Sequence, residues 1–401
     1  MNSSQGIYSI ALLLFSYASN AQSLTNSIEE ILVHASLVPI SSERSANAIT
    51  LIDYEQIENR SVSSISELLR NVPGLAVSKS GVQGSQTQIR VRGSEANHLL
   101  VLIDGIEANN PSQNDGLNWG TFVASDIERI EVVRGPQSSM LGSDAISGVI
   151  NIITKNADKP RSLRIFSENG SFDTNNNGIS FGLINDGFNA RLGLSQLQTD
   201  GANISRAGKE RDGYKNRNLT FKSGFNFNEN LQVAFSLRRS DGMNEYDSDF
   251  DFDGLVDDQD KVTKFENTIM GFKFDYLNSD KTWQYHAAIS ESKSNNKDFQ
   301  EALLGTSTSS TKDQLRFISS KYWDEFSQRI SFLAEHEREK FSQRGRINDY
   351  GIYGVFNPNQ DQSRNTNSIA IEYRADIFNK TTLAASTRRD DNSQFKDANT
   401  F

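Results

Sequence analysis

The chain has 401 residues, a net charge of -10, a pI near 5.1 and no cysteine. The absence of cysteine excludes a disulfide framework and thiol catalysis. The acidic balance argues against nucleic acid as a partner, because no basic surface is available to displace the counterions of phosphates.

The N-terminus carries a continuous apolar run over residues 7–17, followed by Ser19, Asn20 and Ala21. This run is too short to cross a bilayer as a helix, which takes about 20 residues. The small-x-small pattern predicts a secretory signal over residues 1–21, although no Lys or Arg precedes the run. The alternative is a buried N-terminal strand or helix.

Residues 22–44 are predicted to be a linker that contains an acidic pair and a short apolar run with strand propensity. An exposed strand near a terminus can be captured by the sheet of another protein through β-augmentation. The candidate partner-binding residues are Glu30, Ile31, Leu32, Val33, His34 and Ala35. The alternative is that they form the first strand of the next domain.

Residues 45–158 are predicted to form a small α+β domain. Ser64, with Glu67 three residues later, has the pattern of a capping box at the start of a helix. The apolar residues Ile65, Leu68 and Leu69 fall on one face of that helix. Strands bounded by glycine and aspartate are predicted to follow at residues 88–93, 99–105, 127–133 and 148–153.

Residues 159–401 are predicted to form antiparallel hairpins. Ile179, Phe181 and Leu183 alternate with other residues before a turn at residues 185–187, and the same pattern recurs downstream. Tight turns alternate with long polar stretches at residues 196–216, 238–264 and 292–314, which is typical of a transmembrane β-barrel. A soluble β-sandwich would also alternate but would not need this asymmetry.

The strand count predicts an incomplete barrel. Residues 161–401 supply about ten strands at this spacing, whereas barrels that hold an internal domain have about 22. We therefore predict that the chain is an N-terminal fragment of a longer protein.

Six segments stand in the order found in the plug domains of TonB-dependent outer-membrane receptors, the family that the chain resembles; they are residues 73–74, 89–93, 101–105, 127–132, 134–136 and 142–154. The resemblance implies an α+β plug inside an antiparallel transmembrane β-barrel in the outer membrane of a Gram-negative cell, surrounded by lipid. It also implies active transport, with residues 30–35 acting as the Ton box that TonB captures. Arg90, Arg92 and Arg134 resemble plug arginines that pair with carboxylates of the barrel wall.

The sharpest chemical motif lies at residues 249–260, where oxygen donors and a glycine have the spacing of a twelve-residue calcium loop, with Asp260 in place of the usual Glu. Six aspartates in this loop repel one another unless a cation lies among them. The candidate calcium ligands are Asp249, Asp251, Asp253, Leu255 through its carbonyl, Asp257 and Asp260, with Asp247 and Asp258 as further candidates. The alternative is a solvated acidic loop.

This acidic loop and the sequence of residues 142–148 resemble the cobalamin (vitamin B12) branch of the family, in which calcium orders the extracellular loops before the substrate binds. Two plug loops carry amide and hydroxyl groups that can bind a neutral, amide-rich ligand. The candidate substrate-binding residues are Gln83, Ser85, Gln86, Asn109, Asn110, Ser112 and Asn114.

Two other functions remain open. A ferric-siderophore or other iron-chelate receptor is the alternative within the family, although its anionic ligands favour a basic mouth. A passive porin or adhesin is the alternative from another class, and it has no reason to carry a plug. An enzyme is not expected, because the four histidines are scattered and no nucleophile and base have catalytic spacing.

Overall fold

The computed structural model describes residues 32–33, 36–41, 45–206, 208–249, 253–323, 328–349, 351, 354–377 and 381–401. Within these residues, no helix is both long and apolar enough to cross a membrane. The predicted signal segment 1–21 lies outside the described residues, as do Glu30, Ile31, His34 and Ala35.

The plug contains short strands and three short α-helices around a mixed sheet. In chain order, the linker and plug comprise β1 Leu32–Val33, β2 Ile40–Ser41, β3 Ala48–Ile52, α1 Tyr54–Arg60, α2 Ile65–Leu69, β4 Leu75–Lys79, β5 Thr87–Val91, β6 Leu99–Ile103, β7 Ile106–Glu107, β8 Ile127–Arg134, α3 Ser138–Leu141 and β9 Gly148–Thr154. Five strands form one sheet in the order β3-β8-β9-β6-β7, with β6 parallel to β9. The remaining strands pair as the hairpins β1–β2 and β4–β5.

The plug sheet is buried on both faces, which explains why the sequences of β6 and β9 are almost continuously apolar. All residues of both strands are buried. Leu99, Val101 and Ile103 face the core built on α1 and α2, whereas Leu100 and Leu102 face a second core beside α3. The predicted helix face is confirmed, since Ile65, Leu68 and Leu69 are fully buried within the first core.

The predicted capping box is wrong. The Ser64 side chain makes no hydrogen bond to a helix amide and instead contacts the Ser66 hydroxyl at 2.7 Å. Glu67 accepts a hydrogen bond from Arg70 at 3.0 Å and does not reach back to Ser64. The backbone of Ser64 is held in a bridge with Val123, so the position of α2 is set by tertiary contacts.

The barrel wall is one antiparallel sheet in which each strand pairs with the next along the chain, apart from a small hairpin inserted before β21. Its strands are β10 Arg161–Gly170, β11 Thr174–Asn185, β12 Phe188–Thr199, β13 Tyr214–Asn226, β14 Leu231–Glu245, β15 Lys261–Leu277, β16 Trp283–Gln300, β17 Leu303–Trp323, β18 Gln328–Gly345, β21 Gln360–Ile377, β22 Thr381–Asn392 and β23 Ala398–Thr400, with the inserted hairpin β19 Asn348–Asp349 and β20 Val355–Phe356. Within the described chain the sheet has 12 strands, against the ten or so predicted, and β10 does not pair with β23. Part of the difference is β23, which lies in a stretch without apolar alternation.

The predicted polar connection over residues 292–314 is also wrong. Strands β16 and β17 run through it and are joined by a turn at Glu301 and Ala302. Above the apolar band of the wall both faces of this hairpin meet polar surroundings, so its strands lack the apolar alternation by which the sequence reveals the others. The other two predicted connections, residues 196–216 and 238–264, do join strands, but only over 200–213 and 246–260, since their ends belong to β12–β15.

The two faces of the wall differ in polarity. Apolar side chains such as Ile179, Phe272 and Ile371 are exposed on the outer face. Polar side chains such as Asn218, Lys312 and Glu372 are buried on the inner face, against the plug or against one another. Short turns at residues 186–187, 227–230 and 278–282 mark the periplasmic rim, and the longer connections at 200–213, 246–260 and 346–359 mark the extracellular rim.

Candidate functional site

The extracellular end of β13 packs against Gly84 in the first apical plug loop, residues 81–87, and hydrogen-bonds plug residues 120–121. The Tyr214 hydroxyl donates to the Gly120 carbonyl at 3.0 Å, and the Asn216 amide donates to the Thr121 carbonyl at 2.7 Å. Gly84 adopts φ +85°, and a Cβ at this position would lie 2.0 Å from the Tyr214 ring. Sequence reasoning missed Tyr214 and Asn216, because alternation identifies a lumen-facing position but not its partner.

The second apical loop includes an asparagine whose side chain has no group left for a substrate. Asn109 is 1% exposed, and its amide bonds the backbone of Leu99, Val101 and Asp115 at 2.7–3.0 Å. The prediction that Asn109 binds substrate is therefore wrong, because its hydrogen-bonding capacity supports the loop.

The other predicted substrate-binding residues differ in accessibility. The Asn110 side chain accepts hydrogen bonds from the Ser310 hydroxyl of β17 and from the Ser112 amide. Ser85 is 3% exposed, and its hydroxyl has no partner within the described structure. The side chains that remain open to the lumen are Gln83, Gln86 and Asn114.

Two adjoining cavities lie between the second apical loop and the wall. One, of about 760 Å³, is lined by Pro111, Asn114 and wall residues of β18 and β21. The other, of about 620 Å³, extends deeper towards residues 141–146 of the plug. Both include Arg364 and Phe395, and both volumes fall in the range of ligand pockets. Of the accessible predicted residues, Asn114 lines the cavity of about 760 Å³.

Lys312 of β17 joins the plug to the wall below these cavities. Its ammonium group pairs with Glu107 of the plug, lies 3.6 Å from Asp144, and contacts Glu339 and Glu337 of β18 at 2.9 and 3.8 Å. Burial raises the pKa of Glu107 well above its usual value, against the opposing effect of Lys312. For Asp144 burial also acts to raise the pKa, but Lys312, the hydrogen bond with Glu107 and Arg364 together outweigh it and lower the pKa. Their surroundings therefore shift the pKa values of the two plug carboxyls in opposite directions.

The plug contributes acids and the wall contributes bases. The cross-interface pairs are Arg164 with Glu58, Arg191 with Asp126, Lys222 with Asp104, Lys312 with Glu107 and Asp144, and Arg364 with Asp115.

This polarity contradicts the prediction that Arg90, Arg92 and Arg134 pair with wall carboxylates. Arg134 donates to the Pro73 carbonyl at 2.6 Å and to Thr50 at 2.9 Å, and Arg90 donates to Gln88 at 3.2 Å. No ion pair in the described part of the chain includes any of the three arginines. Arg134 instead ties plug segments together.

The predicted calcium loop is partly described. Asp249 accepts from the amides of Asp253 and Gly254 at 3.1 and 2.9 Å, and Asp253 accepts from Leu255 at 2.8 Å. Asp251 lies outside the described residues. Among those that are described, no three His, Cys, Asp or Glu side chains come together as a metal site.

A buried carboxylate lies beside this loop. Asp212, in the neighbouring connection between β12 and β13, is 3% exposed, and its Oδ2 has no partner among the described residues. Burial and the nearby Asp247 raise the pKa of Asp212 to about 6. An orphaned buried carboxylate beside an acidic loop fits a hard cation, which would supply the missing charge.

The linker reaches the periplasmic side of the lumen. Leu32 and Val33, within the predicted partner-binding segment, pair with Ser41 and Ile40 as a two-residue hairpin. Ser36 follows, with its hydroxyl donating to Glu372 at 2.6 Å and accepting from Arg329 at 2.6 Å.

A mixed α+β domain enclosed by a sheet with an apolar outer face defines the class of plugged outer-membrane barrels. Residues 41–149 match the family described as TonB-dependent Receptor Plug Domain. The chain therefore carries a plug domain of the TonB-dependent receptor family over residues 41–149.

Two curated relatives are vitamin B12 transporters. The chain is 31% identical to BtuB of Vibrio vulnificus over 207 residues, which are 50% of the chain and 33% of that protein. It is 27% identical to BtuB of Photobacterium profundum over 346 residues, which are 80% of the chain and 55% of that protein. The chain therefore spans between a third and about half of the length of these relatives.

Solved structures share the fold. The siderophore receptor PiuA from Acinetobacter baumannii aligns with a TM-score of 0.69 at 17% identity, covering 91% of this chain and 61% of that one. The ferripyoverdine receptor of Pseudomonas aeruginosa, bound to ferripyoverdine, aligns with a TM-score of 0.71 at 11% identity, covering 90% and 54%. At these identities the likeness is one of fold alone.

Proposed function

We propose that the protein takes part in TonB-dependent active transport of cobalamin across the outer membrane. The observation that carries this proposal is a plug seated against an inward-polar wall, in a chain whose curated sequence relatives are vitamin B12 transporters. The described plug and wall provide an occluded pathway, which a passive porin does not need.

Cobalamin would bind in the apical cavities. Asn114 offers an amide and Phe395 an aromatic face in the cavity of about 760 Å³, and the accessible Gln83 and Gln86 offer amides in the first apical loop. The cavity of about 760 Å³ combines Asp115, Glu339 and Asp361 with Lys340 and Arg364, so it lacks the basic excess that an anionic iron chelate favours. This mixed lining supports a neutral ligand over a ferric siderophore.

Calcium would bind at residues 249–260 and order the extracellular loops. The candidate ligands are the ones that the loop spacing indicates, with Asp212 as an added carboxylate. The cation would offset the repulsion among these groups and hold the connection at residues 200–213 against that at 246–260. The support for this role is the buried Asp212 oxygen, which has no partner among the described residues.

TonB would capture residues 30–35 by β-augmentation. The support is the short pairing of Leu32 and Val33 with Ile40 and Ser41, which, within the described residues, leaves the other edge of this strand open to a partner. Pulling on this segment would transmit force to Ser36 and then to the plug.

The test is binding of cyanocobalamin to the full-length receptor, measured by isothermal titration with calcium and with a chelator. Tight binding that weakens at least ten-fold on chelation would support both the substrate and the calcium site. Asp212→Asn should reproduce part of the chelator effect, whereas Asp186→Asn at the opposite rim should not.

Two results would contradict the proposal. Binding of a ferric siderophore with no binding of cyanocobalamin would replace the substrate. Cyanocobalamin uptake that continues after deletion of residues 29–36 would exclude capture of this segment by TonB.

A further inference from the structure

A cavity of about 530 Å³ lies between the plug and the inner face of β15, β16 and β17. The plug side is apolar, with Leu102, Ile106 and Leu141. The wall side is polar and includes Lys273, Asp275, Gln284, His286, Gln314 and Arg316. These wall residues lie in the periplasmic half of their strands, so we call this space the periplasmic cavity.

The linker segment 36–39 lines the periplasmic cavity. Two contacts hold this segment. Ser36, 1% exposed, is bonded between Arg329 and Glu372, which form their own ion pair at 3.0 Å. Leu37, 7% exposed, packs against Ile318 and other apolar residues of the wall.

The plug is bonded to the wall on either side of the periplasmic cavity. Lys222 and Lys273 both bond Asp104, the former at 2.9 Å, and Lys312 bonds Glu107 and contacts Asp144. At the cavity itself, where Lys273 lines the wall, the apolar plug face makes no ion pair within the described residues, and the polar contact to the plug is the hydrogen bond from Lys273 to the Asp104 carbonyl. Widening this space therefore breaks fewer polar contacts than separating the plug from the wall on either side.

We propose that the substrate leaves towards the periplasm through this cavity, along β15–β17, and that residues 36–39 are its gate. The proposal rests on the proposed transport function and deepens it by assigning the route. Residues 36–39 directly follow the segment that TonB would capture, so a pull reaches Ser36 before it reaches the plug sheet. Releasing Ser36 and Leu37 opens the cavity while the sheet β3-β8-β9-β6-β7 stays folded.

The gate can be tested without any substrate, because the chain has no cysteine of its own. Ala288 lines the periplasmic cavity, whereas its neighbour Ala287 points to the opposite face of β16. The full-length receptor carrying Ala288→Cys is placed in nanodiscs and reacted with a membrane-impermeant cationic methanethiosulfonate. A second variant adds the gate substitutions Ser36→Ala and Leu37→Ala to Ala288→Cys. These two substitutions remove both contacts of the gate but keep the Arg329–Glu372 ion pair.

We expect the gate substitutions to speed labelling of the Ala288→Cys thiol at least ten-fold and to leave labelling of Ala287→Cys unchanged. Unfolding transitions of each variant, measured by circular dichroism, show that the plug remains folded. An equal labelling rate with and without the gate substitutions would overturn the gate.

The route is tested by filling the cavity. Ala288→Trp should slow cyanocobalamin uptake into cells at least ten-fold without weakening its binding, and Ala287→Trp should leave both unchanged. Equal uptake by the two variants would overturn the route. If the unmodified receptor takes up no cyanocobalamin, the proposed substrate fails, while the labelling rates still decide whether residues 36–39 close the cavity.

Discussion

Gly84 combines two separate requirements for the absence of a side chain. Its φ of +85° is a conformation that residues with a Cβ rarely adopt, and its Cβ position is occupied by the Tyr214 ring. Gly93 has nearly the same conformation, with φ +80°, but nothing lies within 4 Å of its Cβ position. The two glycines therefore separate backbone strain from steric conflict.

We expect Gly93→Ala to destabilise the protein by about 1–2 kcal/mol, the usual cost of a left-handed residue. Gly84→Ala should cost more than Gly93→Ala, because the added methyl group also displaces Tyr214 and its hydrogen bond to Gly120. Thermal unfolding of the two variants in detergent measures the difference. Equal destabilisation would show that Tyr214 moves aside freely.

The candidate residues show what sequence can and cannot give at this scale. The buried helix face of Ile65, Leu68 and Leu69 follows from apolar spacing, which depends only on neighbours along the chain. The exclusion of Asn109 depends on three backbone groups placed around it by β6 and the following loop. Contacts between distant parts of the fold do not affect the spacing of residues along the chain, so they cannot be predicted from it.

At the scale of elements, the two acidic connections at the extracellular ends of β12–β15 make the stability of the fold depend on pH. Between pH 3.8 and about 6 the folded state binds more protons at Asp212 than the unfolded state does, because the pKa is raised on folding. Stability therefore falls as the pH rises through this range and stays lowered above it.

We expect Asp212→Asn to raise the melting temperature at pH 8 in the presence of a chelator and to leave it unchanged at about pH 3.5, below both pKa values of the native carboxyl. The neutral amide avoids the charge that burial and Asp247 disfavour, and at acid pH the native carboxyl is already neutral. Asp200→Asn, an exposed change in the same connection, is the control and should give no pH-dependent gain. An equal gain at both pH values would contradict the electrostatic cause.

Strand boundaries are predictable only where one face meets an apolar environment. The hairpin ending in Asn185-Asp-Gly187 is visible in the sequence because its outward residues alternate with its inward ones. The prediction of a loop over residues 292–314 fails because Lys293, Asn295 and Ser309 give their strands a polar face on both sides. The pairing of plug acids with wall bases is equally hidden, since the sequence shows each charge without its partner.

At the scale of the whole molecule, Lys312 connects the two parts. Its ammonium group forms ion pairs with two plug carboxyls and two wall carboxylates, and its side chain is 3% exposed. Its loss leaves these acids buried together without a cation, which costs far more than an exposed pair would.

We expect Lys312→Met to destabilise the protein by about 3–5 kcal/mol, the usual cost of removing one partner of a buried ion pair. The plug should also become more sensitive to protease, because its attachment to β17 and β18 is lost. Lys293→Met, at an exposed position of β16, is the control. A variant as stable and as resistant as the control would show that the buried acids become neutral without penalty.

The tall hairpin β16–β17 has a consequence at the cell surface. Its band of exposed apolar residues ends at Ile289 on one strand and Leu315 on the other, separate from Leu303 and Leu304 at the tip. The dozen residues above Ile289 therefore rise about 30 Å over the lipid, given a rise of about 3.3 Å per residue and a tilt near 40°. On a living cell this ribbon is open to antibodies and bacteriophages. The Glu301 amide at its tip donates to the Asp260 carbonyl at 2.9 Å, so an antibody or bacteriophage that binds the tip also meets the connection at residues 246–260.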